Sequence, residues 1–265
     1  MDIAVVIPVC RTKFTEEELI SLRQLNYFLP DFPRIFVCPE SLVPAIPNAQ
    51  AVKFSDHFFD SSASYSKLLL DRRFYESFIN FEYILIYQLD CLVFSDNLLK
   101  WCEMGYDYIG SPLFSKNTIP YKFSRVGNGG LSLRRVQGFL DVLQSARYQL
   151  DQTSLLKDFA FTNIPDLPEI PFTHRLKKKL QVLHQVRKGV EWYTQNYTLN
   201  EDLFWSDRAK LFDPGFKIAP IQTALQFSFE RFPRFCFEKN HNQLPFGCHA
   251  WTKHDRAFWE PYLIL

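Results

Sequence analysis

The sequence predicts an α/β fold: a mixed, mostly parallel sheet flanked by helices in a single domain. Two observations carry this. Uniformly apolar runs of strand length alternate with helix-length segments through the first half, and strands without a polar alternation belong to sheets covered on both faces. Of the 265 residues, 47% are hydrophobic and 17% aromatic, enough to fill one large core.

Taken in order, "IAVVIPV" (3–9) is a continuous apolar strand. "FTEEELISLRQLNYFL" (14–29) follows as a helix with an acidic first turn, stopped by Pro30. "RIFVCP" (34–39) and "AVKFSD" (51–56) are the second and third strands, and "SYSKLLLDRRFYESFINF" (64–81) is a second helix. It delivers the chain to "YILIYQLDCLVF" (83–94), an apolar, β-prone run that carries Gln88 and Asp90 in its middle. Residues two apart on a strand face the same way, so these two share a side. A carboxylate inside a sheet is costly unless paired, so Asp90 is either a satisfied structural residue or half of a site. Ligands of such sheets bind beyond the carboxyl ends of the strands, where this run is ending.

The second half is less regular. "YDYIGSPLF" (106–114) is followed by a polar connection, and "RVGNGGLSLRRVQGFLDVL" (125–143) holds three glycines ahead of a helix starting near Arg134. Glycines so placed need positive φ or a close approach by another group. The motif is neither a dinucleotide fingerprint nor a P-loop, so a tight turn explains it equally well. A Pro-punctuated linker (163–171) leads to "THRLKKKLQVLHQVRKGV" (173–190), with six Lys or Arg and no acid. Leu176, Leu180 and Leu183 form a helical stripe there, extended by Val190. "TLNEDLFWSDRA" (198–209) is a short helix opening on two carboxylates, and the chain closes through "PFGCHAW" (245–251).

A formal net charge of +1 argues against nucleic acid as partner. The first residues lack a basic leader, and no apolar run is long enough to span a bilayer. The six cysteines form no C-x-x-C pair and several sit in apolar stretches, as in a reduced, cytoplasmic protein.

With "QLD", "DYIGSP", "GNGGLSLR", "NEDLFWS" and "PFGCHAW" in this order, the chain resembles, from about residue 3 to 251, a bacterial family of glycosyltransferase-like proteins with the Rossmann-like GT-A fold, first known as a domain of unknown function. The resemblance implies transfer of a sugar, UDP-linked being the first expectation, from a nucleotide-sugar donor to a glycan, lipid-linked or protein acceptor in surface polysaccharide or glycoconjugate synthesis. It implies a donor half over 1–110 and an acceptor half over 111–265, with 173–190 a basic helical insertion.

Enzymes of this fold carry D-x-D at the end of such a strand, holding Mn²⁺ or Mg²⁺ against the donor's pyrophosphate. Here "QLD" stands in its place, so Asp90 takes the metal role and Gln88 offers only a carbonyl. His249 of "PFGCHAW" is the second ligand the resemblance implies, although a histidine between Cys and Ala in an apolar segment is equally a structural residue. Asp202, with Glu201 as alternative, is the base for an inverting transfer. Acids at a helix start also simply complement its dipole. Adjacent helix positions diverge by about 100°, so one of the two faces the cleft.

Pro8, Val9, Arg11, Pro39 and Glu40 follow the first two strands, where the nucleotide is held; Lys67, Arg72 and Arg73 on the preceding helix are candidates for the diphosphate. Asn128, Gly129 and Gly130 would line the acceptor side, with Trp205 and Trp251 as sugar platforms or plain core. The missing first aspartate leaves a second class open, a sugar- or nucleotide-binding module without catalysis. A nucleotidyltransferase ranks last, because no glycine follows strand one. The basic stretch 173–190 suits peripheral contact with an anionic membrane on its cytoplasmic face, or a surface helix with solvated lysines.

Overall fold

The computed structural model describes residues 1–42, 50–150 and 172–264. A central six-stranded sheet organises it. Its strands are β1 (Ile3–Pro8), β2 (Arg34–Pro39), β3 (Gln50–Phe54), β4 (Tyr83–Tyr87), β6 (Tyr108–Ile109) and β9 (Leu131–Arg135), in the order β3-β2-β1-β4-β9-β6. β1, β2, β3 and β4 are mutually parallel, and β9 alone runs against its neighbours β4 and β6. This is the mixed, mostly parallel sheet that the apolar runs predict.

Both faces are covered, which is why the strands carry no polar alternation. Ala4, Val6, Ile84 and Ile86 point into one core layer with Phe74, Phe78, Phe139, Trp205 and Phe216. Ile3, Val5, Ile7, Leu85 and Tyr87 point into the other, with Leu25, Leu29, Leu98 and Trp101. The helix α1 (Glu16–Phe28) starts with Thr15 and Glu18 in a reciprocal capping box. The predicted helix over 64–81 is two, α2 (Ser62–Leu68) and α3 (Arg72–Glu76), because the Asp71 carboxylate accepts from the Arg73 N–H and caps a new start.

Two small sheets complete the frame. β5 (Leu92–Val93) pairs antiparallel with β11 (Gly247–Cys248), which pairs parallel with β10 (Ser228–Phe229). β7 (Ser111–Phe114) and β8 (Phe123–Gly127) form a hairpin.

One further sequence expectation is corrected. The run 83–94 is not one strand: β4 ends at Tyr87 and the chain turns at Leu89–Asp90 before β5. Residues 106–114 hold the two short strands β6 and β7. The glycine motif leads into β9, and the helix expected near Arg134 follows directly as α5 (Val136–Leu143), while α4 (Leu98–Glu103) precedes β6. Arg134 is consequently a sheet residue with no exposure.

The basic segment forms the helix Phe172–Val186, and Val190 opens the next helix, Val190–Gln195. Its anchors are Val182 and Val186, while Leu176 and Leu180 of the expected stripe are 47% and 56% exposed. The predicted linker 163–171 lies outside the described residues.

Candidate functional site

The turn after β4 faces the loop after β11. Gln88 N–H donates to the Gly130 carbonyl (2.9 Å) and Cys91 N–H to the Gln88 carbonyl (2.9 Å), which fixes the QLD turn against the glycine loop. His249 N–H donates to the Phe229 carbonyl (3.0 Å) and Trp251 N–H to the Asp90 carbonyl (3.2 Å). These backbone bonds bring the residues just beyond β4, β10 and β11 to one point.

There the His249 ring stands between acids. Its Nε2 is 3.3 Å from Gln88 Oε1 and 3.4 Å from Asp90 Oδ1, and its Nδ1 is 3.4 Å from Glu230 Oε1. At such lengths the contacts are loose, beyond the usual hydrogen-bond range. Asp90 Oδ1 and His249 Nδ1 are buried without an aligned partner, whereas the Asp90 side chain as a whole is 47% exposed. Burial alone lowers the basicity of His249, but the two carboxylates outweigh it and push the imidazole pKa up to about 10. Glu230 is the member that the sequence did not disclose: "SFERF" contains no motif, and only the pairing of β10 with β11 brings it here.

The glycine loop packs on this cluster. Gly129 and Gly130 have ordinary φ values, and the one left-handed residue is Asn128 (φ 90°). What the glycines supply is close approach: a Cβ at 130 would overlap the His249 ring, and one at 129 the Glu201 carboxylate. Asn128 pays for the turn with its side chain. Its Oδ1 accepts from Gly130 N–H (2.7 Å) and Leu131 N–H (3.2 Å), and its Nδ2 donates to Ser111 Oγ (2.8 Å). Only 3% of Asn128 is exposed, so this amide shapes the loop and is not free for a sugar.

The adjacent acids of the helix Glu201–Asp207 diverge as helix geometry requires. Glu201 points inward to Arg134 Nη2 (2.8 Å), within a network that includes the Tyr75 hydroxyl on Arg134 Nη1 (2.8 Å). Burial raises the Glu201 pKa to about 7, against the opposing pull of Arg134. Asp202 lies at the loop: its Oδ2 accepts from Asn128 N–H (2.9 Å) and its Oδ1 from Leu203 N–H (2.9 Å). Burial raises its pKa as well, and Glu230 adds to the rise while the Asn128 N–H opposes it.

A cavity of about 550 Å³ opens in front of Asp90. Pro8, Val9, Arg11, Gln88 and Asp90 line it as predicted, joined by Phe14, Phe59, Ser61 and Tyr65. The Tyr65 hydroxyl is buried there without a hydrogen-bond partner. Arg11 is ion-paired with Glu18. Pro39 and Glu40 close β2 away from this lining, with the Glu40 carbonyl accepting from Lys53 Nζ (3.0 Å).

Other predicted residues go elsewhere. Lys67 Nζ donates to the carbonyls of Thr194 (3.0 Å), Gln195 (2.9 Å) and Tyr197, completing a helix C-terminus. Lys67, Arg72 and Arg73 border a different cleft. Arg72 pairs with Glu76 one turn on (3.1 Å), an ordinary helix-surface ion pair, and Arg73 pairs with the capping Asp71 (2.5 Å). Trp205 and Trp251 are fully buried, which rules both out as sugar platforms; Trp205 packs on Phe139 with ring centroids 4.1 Å apart.

Among the described residues no group of three His, Cys, Asp or Glu is arranged around a common metal position, and no helix is long and apolar enough to cross a membrane. The six cysteines are free, with Cys10 alone exposed.

Solved structures resemble this chain at low identity. The apo-form glycosyltransferase GlyE of Streptococcus pneumoniae is 11% identical, with a TM-score of 0.45, over 99% of this chain and 60% of that one, so this chain spans three fifths of its length. The galactosyltransferase LgtC, in complex with donor and acceptor sugar analogs, is 13% identical with a TM-score of 0.47, over 99% of this chain and 94% of that one. A glycosyltransferase involved in glycosylation of the major capsid of PBCV-1 is 10% identical with a TM-score of 0.44, over 99% and 98%. At these levels the chemistry rests on the residues of the site itself. No curated protein sequence matches the chain. A family model does, over residues 48–249, and the chain belongs to that family, described as protein of unknown function, DUF5672.

Proposed function

We propose that the protein is an inverting glycosyltransferase that takes a sugar from a nucleotide-sugar donor, UDP-linked in our reading, and passes it to a glycan or glycolipid acceptor. One observation carries this: Gln88 and Asp90 line the 550 Å³ cavity and His249 contacts both, while Asp202 accepts from Asn128 N–H in the glycine loop that packs on His249. Residues 1–110 would hold the donor and 111–265 the acceptor.

The cluster fits a hard divalent cation, Mn²⁺ or Mg²⁺. Asp90 Oδ1 lacks a hydrogen-bond partner, His249 Nε2 and Gln88 Oε1 converge near it, and Glu230 stands on the far ring nitrogen, as an orienting carboxylate does for a ligating histidine. Charge supports the fit. With a protonated imidazole, Asp90, Glu230 and His249 sum to one negative charge, which repels a diphosphate; a divalent ion replacing that proton brings the sum to zero. Asp90 and His249 would hold the ion, with Gln88 giving a neutral oxygen. When bound, the ion offsets the negative charge of the departing nucleoside diphosphate.

The protein's own residues do the rest. The cavity walls Phe14, Phe59 and Tyr65 exclude water from the nucleotide. Asp202 is the base: as the acceptor oxygen bonds to the anomeric carbon and the bond to the diphosphate breaks, the hydroxyl proton passes to an Asp202 oxygen. Burial raises its pKa, which makes it a stronger base than a solvated aspartate. Glu201, turned inward to Arg134, is the positioning residue that supports Gly129. The helix Phe172–Val186, with its lysines and exposed leucines, would rest on an anionic membrane at its inner face.

The test is incubation with UDP-, GDP- and CMP-sugars with and without Mn²⁺, reading thermal shift and released nucleotide. Stabilisation and slow diphosphate release with one donor class support the reading. Stabilisation with no release in the presence of acceptors makes the protein a binding module, and no response to any nucleotide removes the proposal.

A further inference from the structure

Beside the Glu230–His249 pair the structure holds a second cavity, of about 500 Å³, that the donor reading leaves unused. Its basic residues are Arg231, Arg234, Lys253 and His254, against the single acid Asp255. Arg234 is neutralised by Asp255 (2.7 Å), which leaves Arg231 and Lys253 in excess. Arg231 donates to the neutral Asn117 Oδ1 (2.7 Å); its charge acts on Glu230, as that of Lys253 acts on Asp90, without an ion pair among the described residues. One wall is aromatic: Tyr121 and Phe232 are stacked at 4.0 Å, and Phe235 meets Tyr121 edge-on at 5.3 Å.

The backbone is bent to make this place. Phe232 (φ 52°) and Asp255 (φ 60°) both line it in the left-handed region. For a bulky residue such as phenylalanine that conformation is costly, on the order of 1 kcal/mol, and persists where surrounding structure enforces it. It also turns Arg231 and the Phe232 ring to the same cavity.

We infer that this cavity binds an anionic group, phosphate or carboxylate, carried by the sugar acceptor. The inference rests on the glycosyltransferase reading for the word acceptor, and on the cavity alone for the anion and the sugar. Cations outside any close ion pair select the anion, and an aromatic face suits the apolar side of a sugar ring. Placement fits too. The hairpin β7–β8 has its closed end at residues 115–122, beside the cavity, and its open end at Ser111 and Gly127, beside Asn128 and Asp202. Its four-residue arm, Ser111–Phe114, covers roughly 13 Å at about 3.3 Å per residue. The anion therefore sits on a part of the acceptor remote from the attacking hydroxyl.

The test is binding of glucose 1-phosphate, glucuronate, glucose and inorganic phosphate, measured by ligand-observed NMR on the full chain, with UDP binding measured on the same samples. The two anionic sugars should bind, glucose at least tenfold more weakly, and Arg231→Gln with Lys253→Gln should weaken only the anionic sugars, by about tenfold per residue. Both side chains are exposed, and unchanged thermal unfolding confirms that the variants fold. Preference for glucose 1-phosphate or for glucuronate identifies a phosphorylated or an acidic acceptor. Equal binding of glucose, no sugar binding, or no response to the substitutions overturns the inference. Retained sugar binding without UDP binding would instead overturn the donor reading alone.

Discussion

Gly130 and His249 occupy adjoining space so closely that the imidazole stands where a side chain at 130 would begin. The loop glycine and the histidine come from distant parts of the chain, and each fixes the other. Gly130 is itself held by Asn128 Oδ1 on its N–H (2.7 Å) and by Gln88 N–H on its carbonyl (2.9 Å).

Gly130→Ala should therefore act as a histidine mutation. The added carbon pushes the ring away from Asp90 and Gln88, and a misplacement of this kind costs on the order of 10² in turnover. Far-UV circular dichroism should stay unchanged while donor turnover falls; undiminished turnover would separate His249 from the reaction.

Asp90→Asn should abolish transfer. The two side chains are nearly equal in size, so the turn survives, but the one carboxylate in the QLD turn is gone. Isothermal titration with Mn²⁺ in the presence of nucleotide checks the cause, since metal-linked binding should vanish together with activity. Gln88→Asp is the companion variant and should tighten the Mn²⁺ response; an unaltered response would place Gln88 outside the ion's surroundings.

Much of this was legible in the sequence, and the misses share a physical origin. β1 and β4 announced themselves because strands buried on both faces are apolar throughout, and the capping box of α1 is written in four consecutive residues. The sequence places Asp90 within one run over 83–94, whereas it lies in the turn beyond β4. Glu230 was not legible, because its role depends on the two-residue pairing of β10 with β11, which is too short to leave a periodicity. Lys67 reads as a donor candidate because it lies on the helix before the QLD motif; its three carbonyl partners come from more than 120 residues away and leave no local signal. Trp205 and Trp251 were ambiguous for the opposite reason: tryptophan serves cores and sugar sites alike, and burial decides between them.

Asp202→Asn should lower turnover by about 10² or more with little change in donor KM, because a base acts mainly in the transition state. The amide oxygen can still accept from the Asn128 N–H, so the loop should hold. Asp202→Ala should lose the same activity and also destabilise, by roughly 1–3 kcal/mol for an orphaned buried N–H. Denaturant unfolding of both variants separates the chemical role from the structural one, and full activity in Asp202→Asn would reassign the base.

Glu201 gives a pH signature in stability. Burial raises its folded-state pKa from 4.5 to about 7, among Arg134, Tyr75, Tyr108 and the neighbouring Asp202. A raised acid keeps its proton longer in the folded chain than in the unfolded one. Its contribution is therefore complete below about pH 4.5 and is lost as pH rises through 7, by up to roughly 3 kcal/mol. Glu201→Gln should flatten that part of the stability profile in urea unfolding between pH 4.5 and 7.5. Arg134→Met should cost about 3–5 kcal/mol at pH 7.5, as expected when one partner of a buried pair is removed. An identical pH profile for wild type and Glu201→Gln would rule out the raised acid.

The helix Phe172–Val186 supplies the last expectation. Its anchors, Val182 and Val186, are buried, so they hold its C-terminal half to the protein and leave Leu176 (47% exposed) and Leu180 (56%) facing outward. Lys177, Lys178 and Lys179 fill the positions between those leucines. Each basic residue close to anionic headgroups contributes roughly 1 kcal/mol, an attraction screened within about 10 Å at 0.1 M salt. Two leucines add too little apolar area for insertion, so the contact should be peripheral and salt-sensitive. Sedimentation with phosphatidylserine-containing vesicles should show binding at low salt that is lost at high salt, and lost when the three lysines become glutamine. Leu180→Ser should weaken it less than the charge change does. Failure to sediment at low salt would leave this helix as a solvated surface element and end the membrane reading.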